Sequence, residues 1–291
     1  MDKIKEIMEV LNQKGIEVEI REVLKNNTQM KGYLLKTAAD SENNEPFVCP
    51  VLYIEELLKE GHSVEEIISI ALKALGKKNF EFNVNKLMNW DTIEDSLRVR
   101  LIPRKNNDKF LENKVYEDFL DMAVVPYLDL GETEDGNYTT VISEQLLSSW
   151  GKTKEQVLDK AKENCRNHDS ISIRSMADVL SAFQPAAEEE FEAAPIWVAL
   201  SGNPSGNFGA RVLLNPEFVQ KIEEMSEWYN SDFYILPSSV HEVLLVKADD
   251  GSAKELANLI QSVNSTELVP SDILSDHPYL YVMGSNKISC C

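Results

Sequence analysis

The sequence predicts an α+β protein with mixed, largely antiparallel sheets and helices packed on one side, and three observations carry that expectation. Short segments alternate apolar and polar residues with period two and are joined by turn-forming residues, the pattern of ladders with one wet face. Three capping boxes, at Ser63–Glu66, Thr153–Gln156 and Ser252–Glu255, each stand ahead of apolar residues at helical spacing. The elements come in clusters, not in strict strand–helix alternation, which leaves a doubly wound sheet as the second choice.

Ile4, Ile7, Met8 and Leu11 form one stripe of an amphipathic helix that Gly15 ends. Ile16, Val18 and Ile20 then alternate with Glu17, Glu19 and Arg21, and Asn26-Asn27 turns the chain into a second strand around Met30–Lys36. An apolar run at Pro46–Tyr53 precedes the helix that Ser63 starts, in which Val64, Ile67, Ile68, Ala71, Leu72 and Leu75 share a face. The pattern weakens through Asn83–Ser96. The expected division is therefore an N-terminal unit over 1–90, a main domain over 91–284 and a flexible tail over 285–291.

In the main domain a strand is expected at Leu97–Ile102, a helix near Asp108–Glu117 and a buried strand at Met122–Leu130, where Pro126 suggests an edge or a bulge. A strand at Tyr138–Ile142 and helices at Glu144–Trp150 and after Thr153 follow. Gln184–Pro195, rich in Ala, Glu and Pro, reads as an exposed loop or weak helix. Strands are expected at Ile196–Leu200, Ala210–Leu214, Phe233–Leu236, Val240–Val246 and Tyr279–Val282, with helices after Asn215-Pro216 and Ser252.

With 43% of 291 residues hydrophobic, the chain has material for one large or two modest cores. Its formal charge of −20, spread along the whole length, would repel a phosphate backbone, so nucleic acid is not an expected partner. Four cysteines do not make a secreted disulfide framework, and reduced thiols are expected. Met1–Met8 alternates charged and apolar residues without a signal-peptide core, and no stretch approaches a membrane span. The expected location is the cytoplasm, with no membrane contact.

Few residues carry chemistry. Gly202, Gly206 and Gly209 lie in a loop that lacks the Gly-Lys-Ser/Thr lead into a helix that a phosphate cradle needs, so a hairpin turn is the expectation and a ligand loop the alternative. Ser239 and His241 are the catalytic candidates. On a strand they share a face, with Glu242 on the other, which leaves the imidazole without a positioned acid unless Asp232 or Asp276 arrives through the fold. Arg98 and Arg100, near Arg104, Lys105 and Lys109, share one strand face; pairing with the protein's own acids is the expectation, and an anion site in which Arg98 and Arg100 bind carboxylate or phosphate through guanidinium forks is the alternative. Cys165 and His168 make half a zinc site without a second half, so neither metal nor cofactor is expected. Glu188–Glu190 reads as a solvated run. Ser289-Cys290-Cys291 is similar to a prenylation signal but has no polybasic companion.

The segment Ser231–Leu245, with Phe208-Gly209-Ala210 before it and Leu274-Ser275-Asp276 after it, resembles an uncharacterised bacterial family, a domain of unknown function met in Gram-positive gut anaerobes. Ile20–Asn27 and Phe119–Val125 are similar to the same pattern; Tyr127–Gly131, the Trp150 region and Leu236–Val246 also resemble a second uncharacterised family of Gram-positive bacilli. Neither resemblance implies an activity, a cofactor or a catalytic residue. The expected function is a non-catalytic cytoplasmic protein that binds or regulates a protein or small-molecule partner. The alternatives are a hydrolase using Ser239 and His241, and an acidic DNA mimic.

Overall fold

A computed structural model describes residues 3–37, 50–76, 84–133, 136–181, 196–202 and 207–291. The chain divides into two compact units, Met1–Asn89 and Trp90–Cys291. Every strand pairing among the described residues is antiparallel, in sheets of three, four and six strands. Helices accompany the sheets in both units, and the protein is α+β. Among the described residues no helix is long and apolar enough to cross a membrane.

The smaller unit opens with α1 (Lys3–Gln13) and the hairpin of β1 (Ile16–Lys25) and β2 (Thr28–Thr37), to which β3 (Val51–Leu52) adds an edge. Asn27 takes φ 57° in the hairpin turn, a conformation that asparagine tolerates better than most residues. The hairpin pairs without slippage from Ile16↔Thr37 to Lys25↔Thr28. Two helices follow, α2 (Ile54–Lys59) and α3 (Val64–Gly76). Ser63 caps α3 in both directions: the Glu66 N–H donates to Ser63 Oγ at 3.2 Å, and the Ser63 N–H to Glu66 Oε2 at 2.7 Å. Ile7 and Leu11 of α1, Tyr33 and Leu35 of β2, and Ile67 and Ala71 of α3 meet in one core, in which each large apolar side chain contributes about 1.5–3 kcal/mol.

The larger unit begins with α4 (Trp90–Ile93), β4 (Leu97–Pro103), α5 (Asp108–Leu111), β5 (Glu117–Phe119), β6 (Met122–Thr133) and β7 (Gly136–Val141). Strand β6 is the hub of the four-stranded sheet, with β4 on one flank and β5 then β7 on the other. Helices α6 (Glu144–Ser149) and α7 (Lys154–His168) follow, and α7 closes the free edge of β4. Asn164 Nδ2 donates to the carbonyls of Glu94 and Leu97 at 2.7 and 3.1 Å, and the Val99 N–H donates to Cys165 Sγ at 3.4 Å, so edge groups that could pair with another chain are occupied.

The rest of the unit is β8 (Ser170–Ser175), α8 (Met176–Ser181), β9 (Ile196–Gly202), a 3₁₀ segment at Gly209–Leu214, α9 (Pro216–Tyr229), β10 (Phe233–Leu236), β11 (Val243–Lys247), α10 (Ala253–Thr266), β12 (Tyr279–Tyr281) and β13 (Ile288–Cys290). The six-stranded sheet runs β13-β12-β10-β11-β9-β8. Asn215 caps α9 with Pro216 in its first turn, and Ser252 closes its capping box.

Several expectations need correction. The helix expected near Asp108–Glu117 stops at Leu111, where Asn113 takes φ 60°, and Glu117 already belongs to β5. Pro126 marks neither an edge nor a bulge: β6 is central, and the ladder irregularity lies at Asp129–Glu132. Proline is tolerated because β5 pairs only as far as Val124 and β7 begins at Tyr127, so no N–H is required between them.

Ala210–Leu214 is helical, not a strand, and buried as far as Leu213, so the Gly202–Gly209 loop does not join two strands as a hairpin turn would; a short, mostly apolar run has the same composition in either state. Residues 203–206 of that loop, and the stretch Gln184–Pro195, lie outside the described residues. Strand β11 starts at Val243, not Val240, because Ser239 takes the chain into a turn: the Ser239 N–H donates to the Glu242 carbonyl at 3.3 Å and the His241 N–H to Ser239 Oγ at 3.0 Å. Strand β8 and helix α8 were not expected. Ile288–Cys290, expected in a flexible tail, instead pairs with β12 from Tyr281↔Ile288 to Tyr279↔Cys290.

Candidate functional site

Three sequence candidates, the arginines of β4, the glycine loop and the Ser239–His241 segment, meet around Phe208. Alternation along β4 buries Leu97, Val99 and Leu101 on one face and puts Arg98, Arg100 and Ile102 on the other. Across the ladder, Arg98 faces Tyr127, Arg100 faces Val125 and Ile102 faces Ala123. Phe208 covers part of this face. Its ring lies edge-on to Tyr127 at 5.5 Å between centroids, and the Arg100 Cζ stands 5.1 Å from its centre. A second ring, Phe110 of α5, lies 5.6 Å from the same Cζ.

Phe208 is held there at a conformational cost. It takes φ 57°, a left-handed conformation that is an outlier for a bulky side chain, and such strain clusters at functional sites. Two contacts fix it. Its N–H donates to His241 Nδ1 at 3.3 Å, and the imidazole stacks on its ring at 6.1 Å and 15°. Because Nδ1 accepts, the proton of the neutral ring sits on Nε2, which faces Asp272 Oδ1 at 3.9 Å, beyond hydrogen-bond reach. Gly209 then brings the backbone so close that a Cβ there would lie 2.2 Å from the His241 carbonyl oxygen.

Beneath the cluster lies a buried ion pair. Arg211 Nε and Nη2 donate to the two carboxylate oxygens of Asp169 at 2.6 and 2.8 Å, with both side chains 2% exposed. Its Nη1 reaches the Tyr127 hydroxyl at 3.2 Å and the Asn207 carbonyl at 3.5 Å. Burial is the largest single influence and opposes the Arg211 charge, but the Asp169 hydrogen bonds together with the negative charge or polarity of Cys165, Tyr127 and Asp169 outweigh it and hold the guanidinium above its ordinary range. Burial pushes the Tyr127 phenol up to about 12.

Arg100 differs from every other arginine near it. Arg98 Nη1 donates to the carbonyls of Asp95 and Leu97 at 2.7 and 2.8 Å. Arg104 pairs with Asp108 at 2.5 Å and faces Asp118 at 3.6 Å. Among the described residues Arg100 has neither a carboxylate nor a hydrogen-bond acceptor: its Nε is sealed without a partner, while its terminal nitrogens keep contact with solvent. Burial pushes its guanidinium below the ordinary range. The expected pairing of these arginines with the protein's own acids therefore holds for Arg104 and not for Arg100.

Ser239 and His241, two residues apart in sequence, have no hydrogen bond between their side chains. Ser239 Oγ donates to Glu242 Oε1 at 3.1 Å and accepts from the His241 backbone, and Glu242 thus reaches the serine, which an extended strand would forbid. Ser239→Ala removes both bonds from a buried position; the expected cost is about 1–2 kcal/mol in urea unfolding, the mark of a turn-forming serine. Cys165 gives its sulfur to the Val99 N–H, and His168 is exposed. Among the described residues no three His, Cys, Asp or Glu side chains are grouped to hold a metal.

A second convergence had no local signal in the sequence. Asp121 sits in the two-residue β5–β6 turn beside Leu120, whose φ of 55° is the second left-handed conformation of a bulky residue. Its Oδ1 accepts from the Tyr279 hydroxyl at 2.5 Å, and its Oδ2 lies 3.0 Å from His277 Nε2. His277 Nδ1 faces the Pro278 carbonyl at 3.0 Å. Both imidazole nitrogens and both carboxylate oxygens are thus engaged, which makes the cluster a tie between the two sheets of this unit.

A family of unknown function, DUF5688, matches residues 1–283. No curated protein and no solved structure matches the chain.

Proposed function

Starting from a chain that belongs to DUF5688, a family of unknown function, we propose a non-catalytic, cytoplasmic binding protein that receives the anionic group of a partner or small ligand on Arg100. The observation that carries the reading is the unpartnered guanidinium between Phe110 and Phe208. A desolvated charge without a hydrogen-bonded counter-ion is expensive, at several kcal/mol for an isolated ion. Two rings at 5.1 and 5.6 Å return part of that cost, about 2 kcal/mol each at a desolvated site. The remainder is what an incoming anion would relieve, through a fork geometry suited to carboxylate or phosphate oxygens.

This predicts opposite signs for stability and binding. Arg100→Met, which keeps the stem and removes the charge, raises the stability of the free protein by about 1 kcal/mol in chemical denaturation. In thermal melts at fixed ionic strength, one or more of benzoate, phenylsulfonate and phenyl phosphate stabilises the wild type and has no effect on Arg100→Met. At a Kd of about 1 mM, 10 mM of the anion contributes about 1.4 kcal/mol. A variant that loses 1 kcal/mol or more, or that responds to the anions as the wild type does, would sink the proposal.

A further inference from the structure

Resting on that reading of Arg100, we infer that the anion it takes is a singly charged carboxylate carried on an apolar, preferably aromatic, group, and not a phosphate monoester. The first argument is geometric. With Nε sealed, the side-on fork of Nε and Nη2 is closed, and the two terminal nitrogens are the ones that still meet solvent. They offer one end-on pair of parallel N–H bonds, which matches the two oxygens of a carboxylate. The third oxygen of a phosphate would find no donor of the same kind, since Arg211 is committed to Asp169 and Arg98 to backbone carbonyls.

Charge leads to the same choice. The ionisable neighbour that acts on the Arg100 guanidinium is the Tyr127 phenol, which burial keeps neutral. One positive charge compensates one negative charge. A dianion would leave a full unit uncompensated beside Phe110 and Phe208, whose rings can neither donate to it nor solvate it. The formal charge of −20 over the chain adds to that discrimination, because long-range repulsion acts twice as strongly on a dianion.

The rings supply the second half of the preference. Phe110 and Phe208 are both partly exposed, so an aryl or alkyl group on the carboxylate covers apolar surface as it binds, in offset or edge-on contact.

The test is a calorimetric titration of the full chain with sodium benzoate, sodium acetate and phenyl phosphate at pH 8 and constant ionic strength, on the wild type, Arg100→Lys and Arg100→Met. Benzoate is expected to bind the wild type at least about 10-fold more tightly than phenyl phosphate and more tightly than acetate. Arg100→Lys, which keeps the charge and loses the fork, should narrow the preference for benzoate over phenyl phosphate to about 3-fold or less, and Arg100→Met should bind none of the three. Phenyl phosphate binding as tightly as benzoate, with both lost in Arg100→Met, overturns the carboxylate assignment and leaves the anion reading standing. Wild-type binding that persists in Arg100→Met, or no response to any of the three, overturns both.

Discussion

Asp169→Asn is expected to destabilise the larger unit by about 3–5 kcal/mol, the range for breaking one side of a buried ion pair. The wild-type carboxylate accepts two hydrogen bonds from Arg211 inside the protein, at 2.6 and 2.8 Å. An asparagine of the same shape presents an amide N–H₂ to one of those donors and leaves the guanidinium charge without compensation at a position 3% exposed. The paired substitution Asp169→Leu with Arg211→Met removes both charges and should recover most of the loss, because a well-packed apolar pair often equals or exceeds a buried salt bridge. Measured beside the single variants Asp169→Leu and Arg211→Met, the pair closes a double-mutant cycle that gives the coupling. Tryptophan fluorescence during denaturation suits the measurement, since all four tryptophans, at 90, 150, 197 and 228, lie within Trp90–Cys291. An Asp169→Asn loss below 1 kcal/mol would show that the pair carries no such weight.

Gly209→Ala is expected to cost about 3 kcal/mol, and to weaken benzoate binding as well. The added Cβ would lie 2.2 Å from the His241 carbonyl oxygen, 3.0 Å from Leu200 Cβ and 3.2 Å from the Ser201 carbonyl oxygen. Two of these are backbone atoms, so no rotamer change gives relief. Either β9 or the turn carrying His241 must move, and that turn is anchored by the Val240 N–H donating to the Asp272 carbonyl at 2.8 Å. Overpacking of this kind costs about 1–3 kcal/mol where the surroundings yield, and the anchored backbone here puts the value at the upper end. Gly251→Ala is the control: its nearest neighbour is a Leu256 side-chain atom at 3.9 Å and its φ of 177° is open to any residue, so the change should stay within about 0.5 kcal/mol. Equal losses in the two variants would mean that the close approach at Gly209 is not what constrains the site.

Local chemistry was legible in the sequence, and tertiary partnership was not. The boxes at Ser63, Thr153 and Ser252, the Asn26-Asn27 turn and the Asn215-Pro216 start are signals within four residues, and each appears where its residues point. Ala210–Leu214 misleads because four apolar residues around Arg211 have no period of their own; what makes them helical is Phe208 in a left-handed turn and Gly209 against the His241 backbone. The start of β11 misleads because a single hydroxyl, Ser239 Oγ, takes the N–H that a ladder would have used. Arg98 and Arg100 look alike from their spacing, and only the fold gives one of them backbone carbonyls and the other two phenyl rings. Asp121 is separated from His277 and Tyr279 by more than 150 residues and shares no local pattern with them.

Pro126 places a permanent seam in the four-stranded sheet. Pro126 lends its carbonyl to the Ile142 N–H at 3.2 Å but has no amide proton to give, so in hydrogen exchange β5 and β7 are expected to open as separate pieces. Amides on the β4 flank, where the ladder runs unbroken from Leu97↔Leu128 to Pro103↔Met122, have no such dividing line and are expected to exchange with solvent as one block.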